Sequence, residues 1–344
     1  MKTAVLPLAL AMACFGQNYT GEQTMDQGVP IVHLRDAAHG VDIKVAPSFG
    51  NRAYEMTIHG KNILDFPSAG IAEALRQPDF NGIPFLAPWA NRLNEQSFWA
   101  NGKKYLLNMG LGNVRGANPM HGFLPYCPLW RVTEVKADRQ SARVTSRLEF
   151  WKYPDMMAQW PFAQEYEMTY SLSNGTLEVS LTVSNLGNEA MPVAVGFHPY
   201  YTIPDVPRDK WTAHIPARKH VEAIRNLPTG EFTASTLPGE FSLQGRTFDD
   251  GFTDLAREAD GRAHFSIEAA GKKVETMFGP KYPVAVIYAP NDASGVARNY
   301  ICFEPMAGIT NAVNLAHDGK YGELQSLPPG GNWTESFWVR ASGF

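Results

Sequence analysis

Cysteine is scarce: the 344 residues contain 3, too few for a disulfide framework in a chain of this length. Cys127 and Cys302 lack the spacing of a zinc site, so no structural metal is expected. Both read as buried thiols, and sequence leaves open one bridge between them. Charge is thin, at 19% of residues against a usual ~25%. Lys and Arg number 30 against 34 Asp and Glu, a formal balance of −4. The chain lacks the basic field that a phosphate backbone requires, which excludes nucleic acid as a partner. Long helices are not expected either, since 30 Gly and 25 Pro make 55 of 344 residues, about 16% against a usual ~12%.

No membrane span is expected. The apolar stretch 4–15 is too short for the ~20 residues that cross a bilayer and suits the core of a signal peptide. Ala11-Met12-Ala13 offers a small-x-small cleavage pattern. Cys14 directly follows, so a lipid anchor is the alternative, ranked second because the usual leucine three residues earlier is absent. Residues 1–23 are therefore assigned to a signal peptide and polar leader, with export to the periplasm or medium as the destination. Without a repeat, low-complexity run or linker beyond that point, 24–344 reads as one domain.

What is present is alternation. Ala142, Val144, Leu148 and Phe150 alternate with Arg143, Thr145, Arg147 and Glu149, the period of two of a half-buried strand. The pattern recurs in 165–172 and 177–183. Asn174-Gly175 between them tolerates the positive φ of a tight hairpin, which predicts an antiparallel pair. Further strands are predicted over 193–197, 264–268, 284–288, 300–303 and 336–339, and a short helix over 71–77. The fold class is all-β: many short strands must close or stack to bury their apolar faces, as in a large antiparallel sandwich or barrel.

Four segments interrupt apolar strands with polar, titratable residues. In Pro88-Trp89-Ala90-Asn91-Arg92 an amide and a guanidinium end an apolar run, and both can bond clustered hydroxyls. In His121-Gly122-Phe123 the glycine lets the backbone approach a ligand beside the imidazole. In Gly196-Phe197-His198-Pro199-Tyr200 a histidine closes a strand and proline fixes its exit. In Tyr300-Ile301-Cys302-Phe303-Glu304-Pro305 alternation sets Glu304 opposite Ile301 and Phe303, so its carboxylate needs a cation or a cleft to face. Each segment alone also fits an ordinary structural role.

As an ordered set, these segments resemble the aldose 1-epimerase (mutarotase) family from about Val29 to the end. Pro228-Thr229-Gly230-Glu231, Asp249-Asp250-Gly251-Phe252 and Leu327-Pro328-Pro329-Gly330 resemble its proline-threonine-glycine turn, its sugar-binding loop and its final turn. The resemblance implies one large antiparallel β-supersandwich, galactose mutarotase-like, that interconverts the α and β anomers of free aldoses such as glucose or galactose. By it Glu304 is the base at the anomeric hydroxyl and His198 the acid at the ring oxygen, while Asn91, Arg92, His121, Tyr200 and Asp249 hold the monosaccharide. No metal and no cofactor are called for, and a monomer or weak dimer is expected. A Glu near ~4.3 and a His near ~6.5 suit that division of labour and predict a bell-shaped pH dependence that belongs to the pair. The run Leu124-Pro125-Tyr126-Cys127 departs from the small or basic residue that many members carry, and family enzymes are commonly cytoplasmic.

Rival readings are a hexose-6-phosphate 1-epimerase, for which Arg92 and Arg115 are the only basic residues beside the motifs, and non-catalytic sugar binding by Trp89, Phe123 and Tyr200. A His121, His198 and Glu304 metal triad, or a glycosidase pair of Asp249 and Glu304, completes the set.

Overall fold

The structure, a computed structural model, describes residues 18–110 and 114–344, and the side chains of these except Val114 and Arg115. The expected signal core at 4–15, its Ala11-Met12-Ala13 site and Cys14 lie outside the described residues, as does the Arg115 side chain.

Three antiparallel sheets dominate. A five-stranded meander runs in sequence order from Tyr19–Asp26 through Val29–Asp36, Val41–Ala46 and Arg52–Ile58 to Lys61–Asn62. A nine-stranded sheet centres on Gln164–Ser173, Thr176–Asn185, Asn332–Ser342 and Lys272–Phe278. An eight-stranded sheet carries Ala217–Ile224, Phe248–Leu255, Val284–Ala289 and Ile301–Met306 in its middle. The predicted hairpin is present: Asn174 and Gly175 take φ of 48° and 69°, and Ser173 pairs with Thr176 across the turn. Both of its strands alternate buried and half-buried positions along their whole length.

The inner faces of the nine- and eight-stranded sheets meet in one core. Phe197 packs on Phe337 at 5.0 Å and Phe265 on Phe303 at 5.5 Å between ring centres. In Ile301–Met306 the period of two sends Ile301 and Phe303 into that core, whereas Met306 joins a second cluster on the outer face with Val284 and Val286. Glu304 is therefore turned outward, into a cleft on the outer face of the eight-stranded sheet.

Several expectations need correction. Residues 19–23, assigned to the leader, belong to strand Tyr19–Asp26, which pairs residue for residue with Val29–Asp36; its mostly exposed side chains explain why no apolar pattern marked it. Pro228 to Glu231 lie within strand Leu227–Ala234, and the turn sits just before them at Arg225 and Asn226, with φ of 52° and 63°. The expected helix forms as Ile71–Arg76, but Pro154–Gln159 and Ala312–His317 are also helical. Six residues give too little periodicity to read. Cys127 and Cys302 are both free and buried, so they form no bridge.

Candidate functional site

The cleft has a volume of about 650 Å³, within the range of small-molecule sites. All seven residues singled out in the sequence line it: Asn91, Arg92, His121, His198, Tyr200, Asp249 and Glu304. They arrive on separate elements, joined by close backbone contacts. The 87–92 segment lies between two others through single bridges of Trp89 to Ala194, Ala87 to Gly122 and Arg92 to Met120. His198 enters from the end of Gly196–Phe197, its backbone N–H donating to the Pro84 carbonyl at 3.0 Å. Gly196 pairs with Met306, which brings His198 beside the strand of Glu304.

Within the cleft, His198 Nε2 and Glu304 Oε1 stand 3.2 Å apart. Both side chains are buried, at 7% and 1% exposure. Tyr200 stacks on the His198 ring at 4.7 Å and 14°, while Phe80 and Tyr288 meet it edge-on. The aromatic cage thus fixes the ring plane that directs Nε2. Burial pushes the Glu304 carboxyl well above the ordinary carboxylate range; Asp249 adds to the rise and Arg92 opposes it. Among the described residues nothing hydrogen bonds Glu304 Oε2.

His121 is held otherwise. The Asn91 backbone N–H donates to its Nδ1 at 3.2 Å, and its own N–H donates to the Asn91 carbonyl at 2.9 Å. The Asn91 side-chain oxygen accepts from the backbone N–H and guanidinium of Arg92 at 2.9 and 3.0 Å. Arg92 Nη2 stands 3.8 Å from Asp249 Oδ2, which also accepts from the Asn226 amide. A hydroxyl placed here meets a donor and an acceptor side by side. Among the described residues, no group of three or more His, Cys, Asp and Glu side chains is placed to hold a metal ion.

From sequence, Gly122 was expected to let the backbone approach a ligand; in the structure its glycine is required by a neighbouring segment. At φ 64° a Cβ there would lie 1.9 Å from the Ala87 carbonyl oxygen, so the glycine lets two cleft-forming segments touch. Of the three aromatics considered as sugar platforms, Trp89 is 1% exposed and packs on Phe123 and Trp160. Only Tyr200 faces the cleft.

Sequence reasoning missed several further lining residues of the cleft, among them Asp65, Asp79, Phe80, Arg298 and Asn299. Burial, then Asp79, pushes the Asp65 carboxyl up to about 6, with Arg298 opposing. These residues lie in irregular segments with no period to break, so only the fold brings them to the site. Tyr288 and Tyr300 were within reach, since both sit at the ends of predicted strands.

The sequence pattern of the aldose 1-epimerase family matches residues 48–340. The uncharacterized protein YphB of Escherichia coli is 25% identical over 264 residues, 74% of this chain and 82% of that protein. The uncharacterized protein YihR of the same organism is 30% identical over 136 residues, 39% of this chain and only 40% of that one. A galactose mutarotase-like protein from Clostridium acetobutylicum shares the fold with a TM-score of 0.83, over 96% of this chain and 100% of that one, at 22% identity. The chain belongs to the aldose 1-epimerase family.

Proposed function

We propose that this member of the aldose 1-epimerase family is a mutarotase of free aldoses, with His198 and Glu304 as its acid and base. The observation that carries the reading is their 3.2 Å approach at the cleft floor. In mutarotation the proton leaves the C1 hydroxyl and another reaches the ring oxygen. Both oxygens are bonded to the same carbon, so acid and base must work from adjacent atoms.

Glu304 takes the hydroxyl proton and His198 donates its Nε2 proton to the ring oxygen. The C1–O5 bond breaks, leaving an aldehyde, a protonated Glu304 and a neutral His198. After rotation about C1–C2 the C5 hydroxyl adds to the other face of the aldehyde. Its proton returns to His198 as Glu304 protonates the former carbonyl oxygen. Burial suits Glu304 to the first step, because a carboxylate whose pKa is raised is a stronger base when ionised. Asn91, Arg92, His121, Tyr200 and Asp249 hold the remaining hydroxyls.

Charge favours a free sugar over its 6-phosphate. Arg92 and Arg298 share the cleft with four carboxyl side chains, Asp65, Asp79, Asp249 and Glu304, which disfavour a dianion. The signal-like stretch 4–15 supports export, where the enzyme meets sugars before or during uptake.

Polarimetry on freshly dissolved α-D-glucose and α-D-galactose tests the assignment, with His198→Ala and Glu304→Gln alongside. Each variant is expected to remain folded and lose ~10²–10⁴-fold in rate. Near wild-type turnover in either removes that residue from the chemistry. No acceleration by the folded wild type rejects mutarotation of these sugars.

A further inference from the structure

We infer that Arg52 is a positioning residue of the cleft: its hydrogen bonds to backbone carbonyls hold the aromatic wall of Phe80 and Tyr126 against which the His121 and His198 rings are set. The relevance to turnover rests on the mutarotase reading, but the positioning does not.

Arg52 opens strand Arg52–Ile58 and is fully buried. No carboxylate pairs with it among the described ion pairs. Its Nη1 donates to the carbonyls of Asp79 at 2.8 Å and Asn81 at 3.1 Å, and its Nη2 to that of Pro125 at 2.8 Å. Aromatic faces complete its surroundings, with Phe49 at 4.1 Å, Tyr126 at 5.2 Å and Phe80 at 6.0 Å from the guanidinium carbon. Burying a charge without a counter-ion is costly, so the arrangement calls for a function that a hydrophobic residue could not supply. A planar fork can bridge two chain segments at once. Here the segments are 79–81 and 125, and the residues between and beside those carbonyls are Phe80 and Tyr126.

Phe80 relays the restraint. Its ring lies 5.1 Å from His121, 5.7 Å from His198 and 5.5 Å from Tyr126, so one side chain meets both cleft histidines and the rest of the wall. The backbone before Arg52 is equally close to the same wall, since a Cβ on Gly50 would lie 2.1 Å from the Pro125 oxygen. A loss of packing alone would therefore lower stability, whereas a positioning role moves the imidazoles.

The test compares Arg52→Gln, Arg52→Lys, Phe80→Leu and Arg52→Gln/Phe80→Leu by thermal melting, imidazole NMR without substrate, and polarimetry. Neither Gln nor Lys can span both segments as the fork does, so both variants are expected to shift the His121 and His198 ring resonances. They should lower kcat on the order of 10–100-fold, with KM changed less. Phe80→Leu keeps the Arg52 hydrogen bonds and is expected to reproduce the ring shifts, and the double variant is expected to be no worse than the worse single. Wild-type ring resonances in a folded Arg52 variant overturn the proposal, as do losses that multiply in the double variant. If the Arg52 variants do not fold, unshifted imidazoles in Phe80→Leu overturn it alone. Because NMR needs no sugar, an inactive wild type would reject the mutarotase reading and leave this test intact.

Discussion

Asn91 and His121 hold each other by two reciprocal hydrogen bonds, backbone N–H to Nδ1 at 3.2 Å one way and backbone N–H to carbonyl at 2.9 Å the other. Both residues adopt left-handed backbone, at φ 56° and 62°, a conformation uncommon outside glycine. Two strained residues are thus locked together at the point where the 88–92 and 121–123 segments meet.

The pair fixes a tautomer. A backbone N–H can only donate, so Nδ1 of His121 carries the lone pair and the proton of the neutral ring sits on Nε2. The ring N–H at Nε2 is then the donor atom of His121. Long-range ¹⁵N–¹H NMR on the unliganded protein is expected to show the Nε2–H form at neutral pH. A protonated Nδ1 would refute the assignment and leave the Asn91 N–H without its acceptor.

The carboxyl proposed as the catalytic base, Glu304, also bears on stability. Its carboxyl pKa is raised by burial, so the folded chain holds that proton more tightly than the unfolded chain. Its contribution to stability is full below the ordinary carboxyl value of about 4.3 and is lost as pH rises through the raised value. Glu304→Gln carries no charge to desolvate and is expected to be more stable than wild type above that value. The Tm difference should grow as pH rises above about 4. Melting curves whose difference stays constant as pH rises would contradict a buried, raised carboxyl.

The extent to which this site was legible follows from where its residues sit. Glu304 could be singled out because it breaks the apolar alternation of Ile301 and Phe303, and a period of two states which face it takes. His198 ends an apolar strand in the same way. Asn91, Arg92, His121, Tyr200 and Asp249 became a set only through the ordered motifs of the family, since nothing in their own surroundings says that they converge. Asp65 and Arg298 offer neither signal: they lie in irregular chain and reach the cleft through strand order. Arg52 shows the opposite limit, because a lone arginine in an apolar strand reads as an edge or surface charge. The three carbonyls and the aromatic faces around it explain its burial.

Asp65 gives the cleft a second pH response, separable from the acid and base. Its carboxyl is pushed up to about 6 by burial and by Asp79. Above that value it is ionised and accepts strongly from a sugar hydroxyl; below it the group is neutral and binds more weakly. KM is therefore expected to fall as pH rises through about 6, and Asp65→Asn to remove this step while leaving the limbs of kcat in place. The same raised pKa predicts that Asp65→Asn gains stability over wild type above that pH and not below the ordinary carboxyl value. A KM profile that keeps its step in Asp65→Asn would show that Asp65 does not meet the sugar.

Gly122 tests whether the contact between two loops, rather than any side chain, sets the cleft. Its φ is 64°, and a Cβ there would stand 1.9 Å from the Ala87 oxygen; alanine has no rotamer by which to avoid that clash. The Ala87 carbonyl accepts the N–H groups of Phe123 and Leu124 at 2.8 and 3.2 Å, so it cannot retreat without breaking both. Gly122→Ala is expected to lose roughly 3–5 kcal/mol, measured by denaturant unfolding. Any folded fraction should carry a displaced His121, because the neighbouring residue holds the Asn91 pair. Gly196→Ala provides the comparison: its Cβ would meet the Pro305 carbonyl oxygen at 2.9 Å and the Met306 side chain at 3.0 Å with no positive φ, a milder overlap than the 1.9 Å approach to the Ala87 oxygen at Gly122. A smaller loss at Gly196 than at Gly122 is the expected order, and the reverse would mean that the strand junction beneath His198, not the loop contact beside His121, is the tighter constraint on the site.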